Sequence, residues 1–205
     1  MRKLVKSLLA VIAVALPGSA FAADYVIDPS HTSVGFTVRH LMVTKVRGSF
    51  EKVSGTVKYD PNEPEKIVID ATIDAASINT GEAKRDEHLR SPDFFDVAKH
   101  PTLTFKSKKA KVLGKGKLEV IGDLTIRGVT KEVTLQVEGL DQEIKDPWGN
   151  VRRGATATTR INRKDFGLAW NQVLETGGVM VGEDVDIQID VELIRQAAKE
   201  EAAAK

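Results

Sequence analysis

The feature of this sequence that most restricts its fold is an alternation of apolar and polar residues with a period of two. Such a pattern places apolar side chains on one face of an extended strand and polar ones on the other. The apolar positions of the clearest runs are Val34, Phe36 and Val38; Ile67, Ile69, Ala71 and Ile73; Leu103 and Phe105; Leu118, Val120, Leu124 and Ile126; Val133, Leu135 and Val137; and Val185, Ile187, Ile189, Val191 and Leu193. These runs predict an all-β chain of about eight or nine antiparallel strands.

Strands with a single apolar face must stack as two sheets or close into a barrel. Several runs reach about nine residues or more, and long strands favour closure into a barrel of about eight strands with an interior that side chains need not fill. Aromatic residues make up only 5% of the sequence, so the wall should consist mainly of Val, Ile, Ala and Leu. Such an interior suits an elongated hydrocarbon.

One helix is predicted around residues 82–90. Asn79 and Glu82 have the spacing of an N-cap residue and its N3 partner, and the dipeptide Ser91-Pro92 ends the segment. Because the segment is strongly charged, we expect the helix to lie across the barrel or over one of its mouths. The tail 195–205 has strong helix formers but almost no apolar face, so it should fray.

The first 22 residues have the organisation of a signal peptide. Cations at Arg2, Lys3 and Lys6 precede an apolar segment, and Ala20-Phe21-Ala22 has the small-x-small pattern of a cleavage site. The apolar segment is shorter than the roughly 20 residues that a spanning helix needs. Residues 1–22 are therefore predicted to be removed, leaving a barrel domain at 23–194 that works in the periplasm without stable membrane insertion. The alternative is an N-terminal membrane anchor.

Composition argues against several functions. The 30 basic and 29 acidic residues nearly cancel, which predicts no general attraction to nucleic acid or to anionic membranes. The absence of cysteine excludes disulfides, thiolate catalysis and cysteine-bound metals. The four histidines have no metal-binding spacing, and the sequence has no nucleophile elbow, phosphate loop or dinucleotide fingerprint. We predict no metal, no cofactor and no enzymatic activity.

Four segments carry a family resemblance. They are YVIDPSHTSVGFTVRHLMVTKVRGSF (25–50), HLRSPDFFDVAKHPTLTFKS (88–107), GDLTIRGVTKEVTL (122–135) and NRKDFGLAWN (162–171). In this order they closely resemble the YceI-like, polyisoprenoid-binding periplasmic proteins. The resemblance implies an extended lipocalin-like barrel of eight antiparallel strands that holds a long isoprenoid or another amphiphile.

The ligand is expected to contact the inward row that includes Val34, Phe36, Val38 and Phe105, with His40 near its polar end. By parity, His40 continues the row of Phe36 and Val38. The alternative is that the phenylalanines are ordinary core and that His40 ties a loop to the backbone.

Further candidate contacts are Phe50, Phe94, Trp170 and Asn171. Phe50 and Phe94 could pack on an isoprenoid chain, and because Phe94 and Phe95 are adjacent, only one of them should face inward. Trp170 and Asn171 belong to a polar and aromatic cluster with Asn162, Arg163 and Asp165. Buried polar groups need partners, so this cluster either fixes a mouth loop or meets a polar head.

Together these features predict a periplasmic protein that sequesters or carries an amphiphile such as a polyisoprenoid or a prenylated quinone. One alternative is an enzyme acting on such a lipid through His40 with Asp28 or Asp165. Another is a protein-interaction module whose barrel is filled by its own side chains. The sequence leaves the identity of the lipid and the formation of a homodimer open.

Overall fold

The computed structural model describes residues 23–175 and 177–197. The predicted signal peptide and residues 198–205 of the tail lie outside this range. The strands are β1 (Ala23–Ile27), β2 (Ser33–His40), β3 (Thr44–Phe50), β4 (Val53–Tyr59), β5 (Val68–Asp74), β6 (Ile78–Asn79), β7 (Thr102–Gly114), β8 (Lys117–Ile126), β9 (Val129–Glu138), β10 (Glu143–Lys145), β11 (Val151–Asn162) and β12 (Val181–Arg195), and the single α-helix among these residues is α1 (Ala83–Arg90).

Eight strands close into an antiparallel barrel in the order β1, β4, β5, β7, β8, β9, β11 and β12. The long pairing of β11 with β12, from Arg152 opposite Ile194 to Asn162 opposite Asp184, completes the ring. The predicted all-β barrel of about eight antiparallel strands is therefore confirmed. Strand β12 extends to Arg195, one residue into the segment that we assigned to the tail.

The wall is longer on one side of the barrel. After a short 3-10 turn at Pro29–His31, β2 continues along the same edge of β12 that β1 occupies. Strand β3 pairs with β2, and the two-residue strand β6 pairs with β3. These additional strands extend one end of the barrel beyond its closed ring.

Strand β8 shows how the alternating pattern forms the wall. Its buried and half-buried residues alternate without a break, and the buried set includes Leu118, Val120 and Leu124. The inward position between the last two is Gly122, where a Cβ atom would lie 2.6 Å from Cζ of Phe105. Glycine at this position therefore leaves room for the ring of Phe105 inside the barrel.

The predicted helix is present, but its predicted capping box is wrong. Glu82 is the N-cap, and its side chain accepts a hydrogen bond from the backbone N–H of Lys84 at 3.2 Å. The Asn79 side chain instead accepts from the N–H of Gly81 at 2.8 Å, because Gly81 has a positive φ of 76° and turns the chain before the helix begins. No helix in the described part of the chain combines the length and the apolar character that crossing a bilayer requires.

Candidate ligand-binding site

The barrel interior contains two apolar chambers that lie end to end. We call the chamber next to the open mouth of the barrel, described below, the near chamber, and the other one the far chamber. The near chamber has a volume of about 140 Å³, and the far chamber has a volume of about 120 Å³. Only carbon atoms are exposed on their walls. Both chambers are bounded by Val34, Ile73, Ile187 and Ile189, so these four side chains form the constriction between them.

The chambers are smaller than the roomy interior that the strand lengths predicted. An apolar cavity of about 150 Å³ is large enough for benzene. Each chamber therefore fits a short piece of hydrocarbon, and a continuous chain through both requires the constriction residues to move apart. Side chains fill more of the barrel than alternation alone indicates, because alternation specifies direction and not volume.

The far chamber exists because one strand has small inward residues. Along β11 the inward row contains Ala155, Ala157 and Thr159, which all border this chamber. Arg153 precedes these residues in the same row, Arg163 directly follows the end of β11, and both arginines are buried. Strand β11 thus places small side chains between two buried arginines at opposite ends of the barrel.

Arg153 closes the far end of the barrel. Its Nε donates to the hydroxyl of Tyr25 at 2.8 Å, and its Nη1 donates to the carbonyl oxygen of Leu140 at 2.7 Å. Its guanidinium also pairs with Glu143 at 2.8 Å and lies 5.3 Å from the ring centre of Tyr59. A buried charge with this many partners forms a fixed polar plug.

The near chamber leads to a mouth cavity of about 390 Å³ at the opposite end. The two share Phe36, Val38, Leu89, Phe94 and Val181. The remaining residues of the mouth are largely polar or charged. They include Arg39, His40, Thr80, Glu82, Lys84, Arg85, His88 and Trp170. The site is therefore a tube with an apolar interior, a mouth bordered by charged side chains and one closed end.

An aromatic cluster forms one side of the mouth. The ring of His88 meets Trp170 edge-on at 4.8 Å and Phe94 edge-on at 5.1 Å. Its Nε2 lies 3.0 Å from a carboxylate oxygen of Asp93. These contacts hold Trp170 at the rim by aromatic packing.

The structure places most predicted contact residues along this tube. Val34, Phe36, Val38, Phe50 and Phe94 line the near chamber; Phe105 lines the far chamber; and His40 and Trp170 line the mouth. Asn171 borders none of the three cavities, and its amide instead binds the backbone N–H and carbonyl of Val181. The expectation that only one of Phe94 and Phe95 faces inward is wrong, since both border the near chamber.

Arg163 also ties a mouth loop together. Its guanidinium donates to the backbone carbonyls of Gly182, Leu168 and Val181. Burial lowers the pKa of Arg163, and these carbonyls replace the water that its charge has lost. Arg163 borders the near chamber, but only through carbon atoms. The polar and aromatic cluster of residues 162–171 was expected either to fix a mouth loop or to meet a polar head. Arg163 and Asn171 fix a loop.

A charged cluster at the 3-10 turn after β1 was not recognised in the sequence. Nδ1 of His31 lies 2.9 Å from Oδ2 of Asp28, and Arg152 donates to the same oxygen at 2.7 Å and also to Glu192. Hydrogen bonds from His31 and then Arg152 lower the pKa of Asp28 to about 2, and Asp28 in turn raises the pKa of His31.

This cluster bears on the metal and enzyme alternatives. Asp28, His31 and Glu192 have the spacing of three metal ligands, but the guanidinium of Arg152 lies between the two carboxylates as their counter-cation. Asp28 directly follows β1 and caps the 3-10 turn, whereas His40 is the last residue of β2. Within the described residues, the side chain of His40 hydrogen-bonds neither Asp28 nor Asp165, so the proposed catalytic pairs are not formed.

These features define a class of β-barrel proteins with an apolar internal cavity that opens at one end. Residues 25–193 match the family model described as the YceI-like domain. The chain therefore belongs to the YceI family.

Relatives and solved structures agree with this assignment. A UPF0312 protein of Vibrio cholerae is 38% identical over 196 residues, covering 93% of this chain and 99% of the relative. The crystal structure of Burkholderia cenocepacia BcnA superimposes with a TM-score of 0.71 at 25% identity, covering 81% of this chain and 98% of BcnA. A polyisoprenoid binding domain from Saccharophagus degradans has the same fold, with a TM-score of 0.63 at 16% identity over 85% of this chain and 99% of that domain.

Proposed function

We propose that this protein is a periplasmic carrier that buries the apolar chain of one elongated amphiphile in its barrel and leaves the polar end at the mouth. The observation that carries the proposal is the order of the site: a mouth bordered by charged side chains, two apolar chambers in series and a plug formed by Arg153. A molecule with one polar end and one long apolar end matches this order.

The length of the tube favours a chain over a compact ligand. Arg153 lies near the start of β11 and Arg163 directly follows its last residue, so the strand between them spans roughly 25 Å along the barrel axis at ~3.3 Å per residue and a tilt of ~40°. Burial of apolar surface contributes about 25 cal/mol per Å². A chain that fills both chambers can therefore bind without a specific polar contact, and the cost of widening the constriction reduces this gain.

The comparisons support an isoprenoid or a similar lipid as the ligand. The domain from Saccharophagus degradans is described as polyisoprenoid binding, and it shares the fold of this chain. A binding role is favoured over catalysis because, in the described part of the chain, the mouth histidine His40 forms no hydrogen bond with Asp28 or Asp165, the partners that the enzyme hypothesis names.

Export rests on the first 22 residues, with cleavage after Ala22. The mass of the intact protein recovered from the periplasmic fraction tests this part. A protein that begins at Ala23 supports it, and a mass that retains residues 1–22 contradicts it.

Chain binding is tested by titrating the purified protein with fatty acids and isoprenoid alcohols of increasing length, in the absence of vesicles. We expect one site whose affinity increases with chain length until the tube is filled. If no apolar chain binds at micromolar concentration, the proposal is wrong.

A further inference from the structure

The rim of the mouth exposes an unusual group of apolar side chains. Leu41, Met42 and Val43 form the turn between β2 and β3, and they are 37%, 49% and 80% exposed. Val173, in the loop before β12, is 84% exposed. We call these four residues the portal rim. The rim adjoins the mouth through His40, which precedes the turn and lines the cavity.

The turn that carries the rim has an unfavourable sequence for its shape. The N–H of Val43 donates to the carbonyl of His40 at 3.2 Å, and the two central residues, Leu41 and Met42, have φ values of 51° and 61°. A turn with two such residues is normally formed by Asn-Gly or a similar pair, because a side chain with a Cβ is strained there. Leu41 and Met42 are therefore disfavoured by their backbone conformation and also by their exposure to water.

The two segments of the portal rim are held side by side. The N–H of Leu41 donates to the carbonyl of Met180 at 2.7 Å, and Val173 pairs with Val179 across the loop. Cγ of Met42 lies 4.0 Å from the position of a Cβ on Gly178. The exposed side chains thus belong to one continuous surface at the open end of the barrel.

The charges beside the portal rim are unevenly distributed. The mouth is lined by the cations Arg39, Lys84 and Arg85 and by a single acid, Glu82. In the neighbouring groove on the outer side of β2, three basic residues face three acidic ones. Arg39 borders both cavities; apart from it, the mouth has two cations and one acid, whereas the groove has two cations and three acids. The small positive excess is therefore on the side where a ligand enters, although the whole chain is nearly neutral.

We propose that the portal rim docks on an anionic phospholipid leaflet, so that an amphiphile passes directly between the leaflet and the mouth. The apolar side chains enter the interface, and the mouth cations contact lipid phosphates. This inference rests on the proposed function, because only a protein that exchanges a lipid with a membrane requires its mouth to lie against one. It also supplies a reason for a strained, exposed apolar turn.

The test uses the double variant Leu41→Asn/Met42→Gly in the full-length gene product, purified as the cell processes it. Binding to vesicles of phosphatidylethanolamine and phosphatidylglycerol is measured by co-sedimentation. We expect the variant to lose about tenfold or more in vesicle affinity, because two apolar side chains no longer enter the interface. The Tm of the variant should rise by about 2–4 °C, because the new turn removes backbone strain. A purely structural role for these residues predicts a fall in Tm instead.

The matched control is Val112→Ser/Leu113→Ser at the β7–β8 hairpin, where the side chains of Val112 and Leu113 are 44% and 50% exposed. This control should bind vesicles as the wild type does. Lys84→Glu should weaken binding to the anionic vesicles, whereas Lys111→Glu on the same distant hairpin should not.

Three results would overturn the proposal: the wild type does not bind the anionic vesicles, the hairpin control loses binding as strongly as the rim variant, or the rim variant binds unchanged. If the rim instead contacts a second copy of the chain, the double variant converts a dimer into a monomer in light scattering, and vesicle binding is absent. Titration of the same proteins with a free fatty acid distinguishes failure of the docking surface from failure of the proposed function. If the wild type binds the fatty acid but not the vesicles, only the docking surface is rejected; if the wild type binds neither, the proposed function is rejected as well.

Discussion

The ring of Phe36 lies directly over Gly48, its partner across strands β2 and β3. A Cβ atom on residue 48 would be 2.4 Å from Cζ of Phe36 and 2.8 Å from a methyl group of Thr80. Phe36 borders both the near chamber and the mouth. The absence of a side chain at Gly48 therefore sets the position of the ring at the entrance of the tube.

Gly48→Ala should push the Phe36 ring into the entrance and weaken chain binding. Overpacking of this kind costs about 1–3 kcal/mol of folding stability, and we expect a loss of similar size in ligand affinity. Isothermal titration with a long-chain amphiphile and thermal unfolding measure the two effects. The matched control is Gly154→Ala, where the nearest atom to a Cβ is 3.9 Å away. Equal ligand affinity in the two variants would show that Gly48 does not control the entrance.

Ala157→Leu should block the far chamber and leave the near one open. Ala157 is 7% exposed and borders the far chamber alone. Long chains should therefore lose about 1–3 kcal/mol of binding free energy, whereas chains short enough for the near chamber should bind normally. Thr158→Leu, on the outward face of the same strand, is the control. The order of the chambers is wrong if Ala157→Leu weakens short and long ligands equally.

The Asp28 cluster should make folding stability depend on pH in two opposite ways. Hydrogen bonds from His31 and Arg152 lower the pKa of Asp28 from 3.8 to about 2. The stabilisation that the Asp28 carboxylate gives the fold is therefore complete above pH 3.8 and is lost as the pH falls towards 2. Asp28 raises the pKa of His31 above 6.5. The stabilisation that protonated His31 gives the fold is therefore complete below pH 6.5 and is lost as the pH rises through the raised pKa of His31. The cluster should stabilise the fold most between these two limits.

Asp28→Asn tests this dependence. At about pH 5 the variant should lose about 1–3 kcal/mol in the free energy of unfolding, and the loss should shrink below about pH 3, where the wild-type carboxylate is protonated as well. Urea unfolding of the wild type and the variant between about pH 2 and pH 7 measures this loss of unfolding free energy. Asp24→Asn is the control, because Asp24 forms an exposed pair with Lys58 at 3.6 Å, and such pairs contribute little to stability. A loss that stays constant from neutral pH to pH 2 would contradict the assigned role of the Asp28 charge.

His40→Ala should change headgroup preference more than chain-length preference. His40 lines the mouth and borders neither chamber. If it hydrogen-bonds the polar end, its removal should cost about 1–3 kcal/mol for a ligand with a hydrogen-bonding head. The same chain with a nonpolar end is the matched ligand, and it should bind both proteins alike. A uniform change for both ligands would show that His40 only supports the loop.

Alternation predicted the barrel because each strand has one apolar face, and this pattern is local in the sequence. The volumes inside the barrel were not predictable, because they depend on how facing strands pack. Ala155, Ala157 and Thr159 open the far chamber only because they share a row on β11 and face the barrel interior.

Long-range contacts account for other features that the sequence did not reveal. Arg152 and Asp28 are 124 residues apart, so nothing local predicts their ion pair. The helix cap was misassigned because Gly81 turns the chain between Asn79 and the first helical residue. Motif spacing alone does not show such a turn.

The most direct test of the carrier assignment is the content of the protein as the cell makes it. Protein purified from the periplasmic fraction without detergent is extracted with organic solvent, and the extract is identified and quantified by mass spectrometry. We expect about one long-chain amphiphile per protein chain, and less of the long species in Ala157→Leu purified in parallel. Extracts that contain no lipid, from a protein that also binds no added chain, would contradict the assignment.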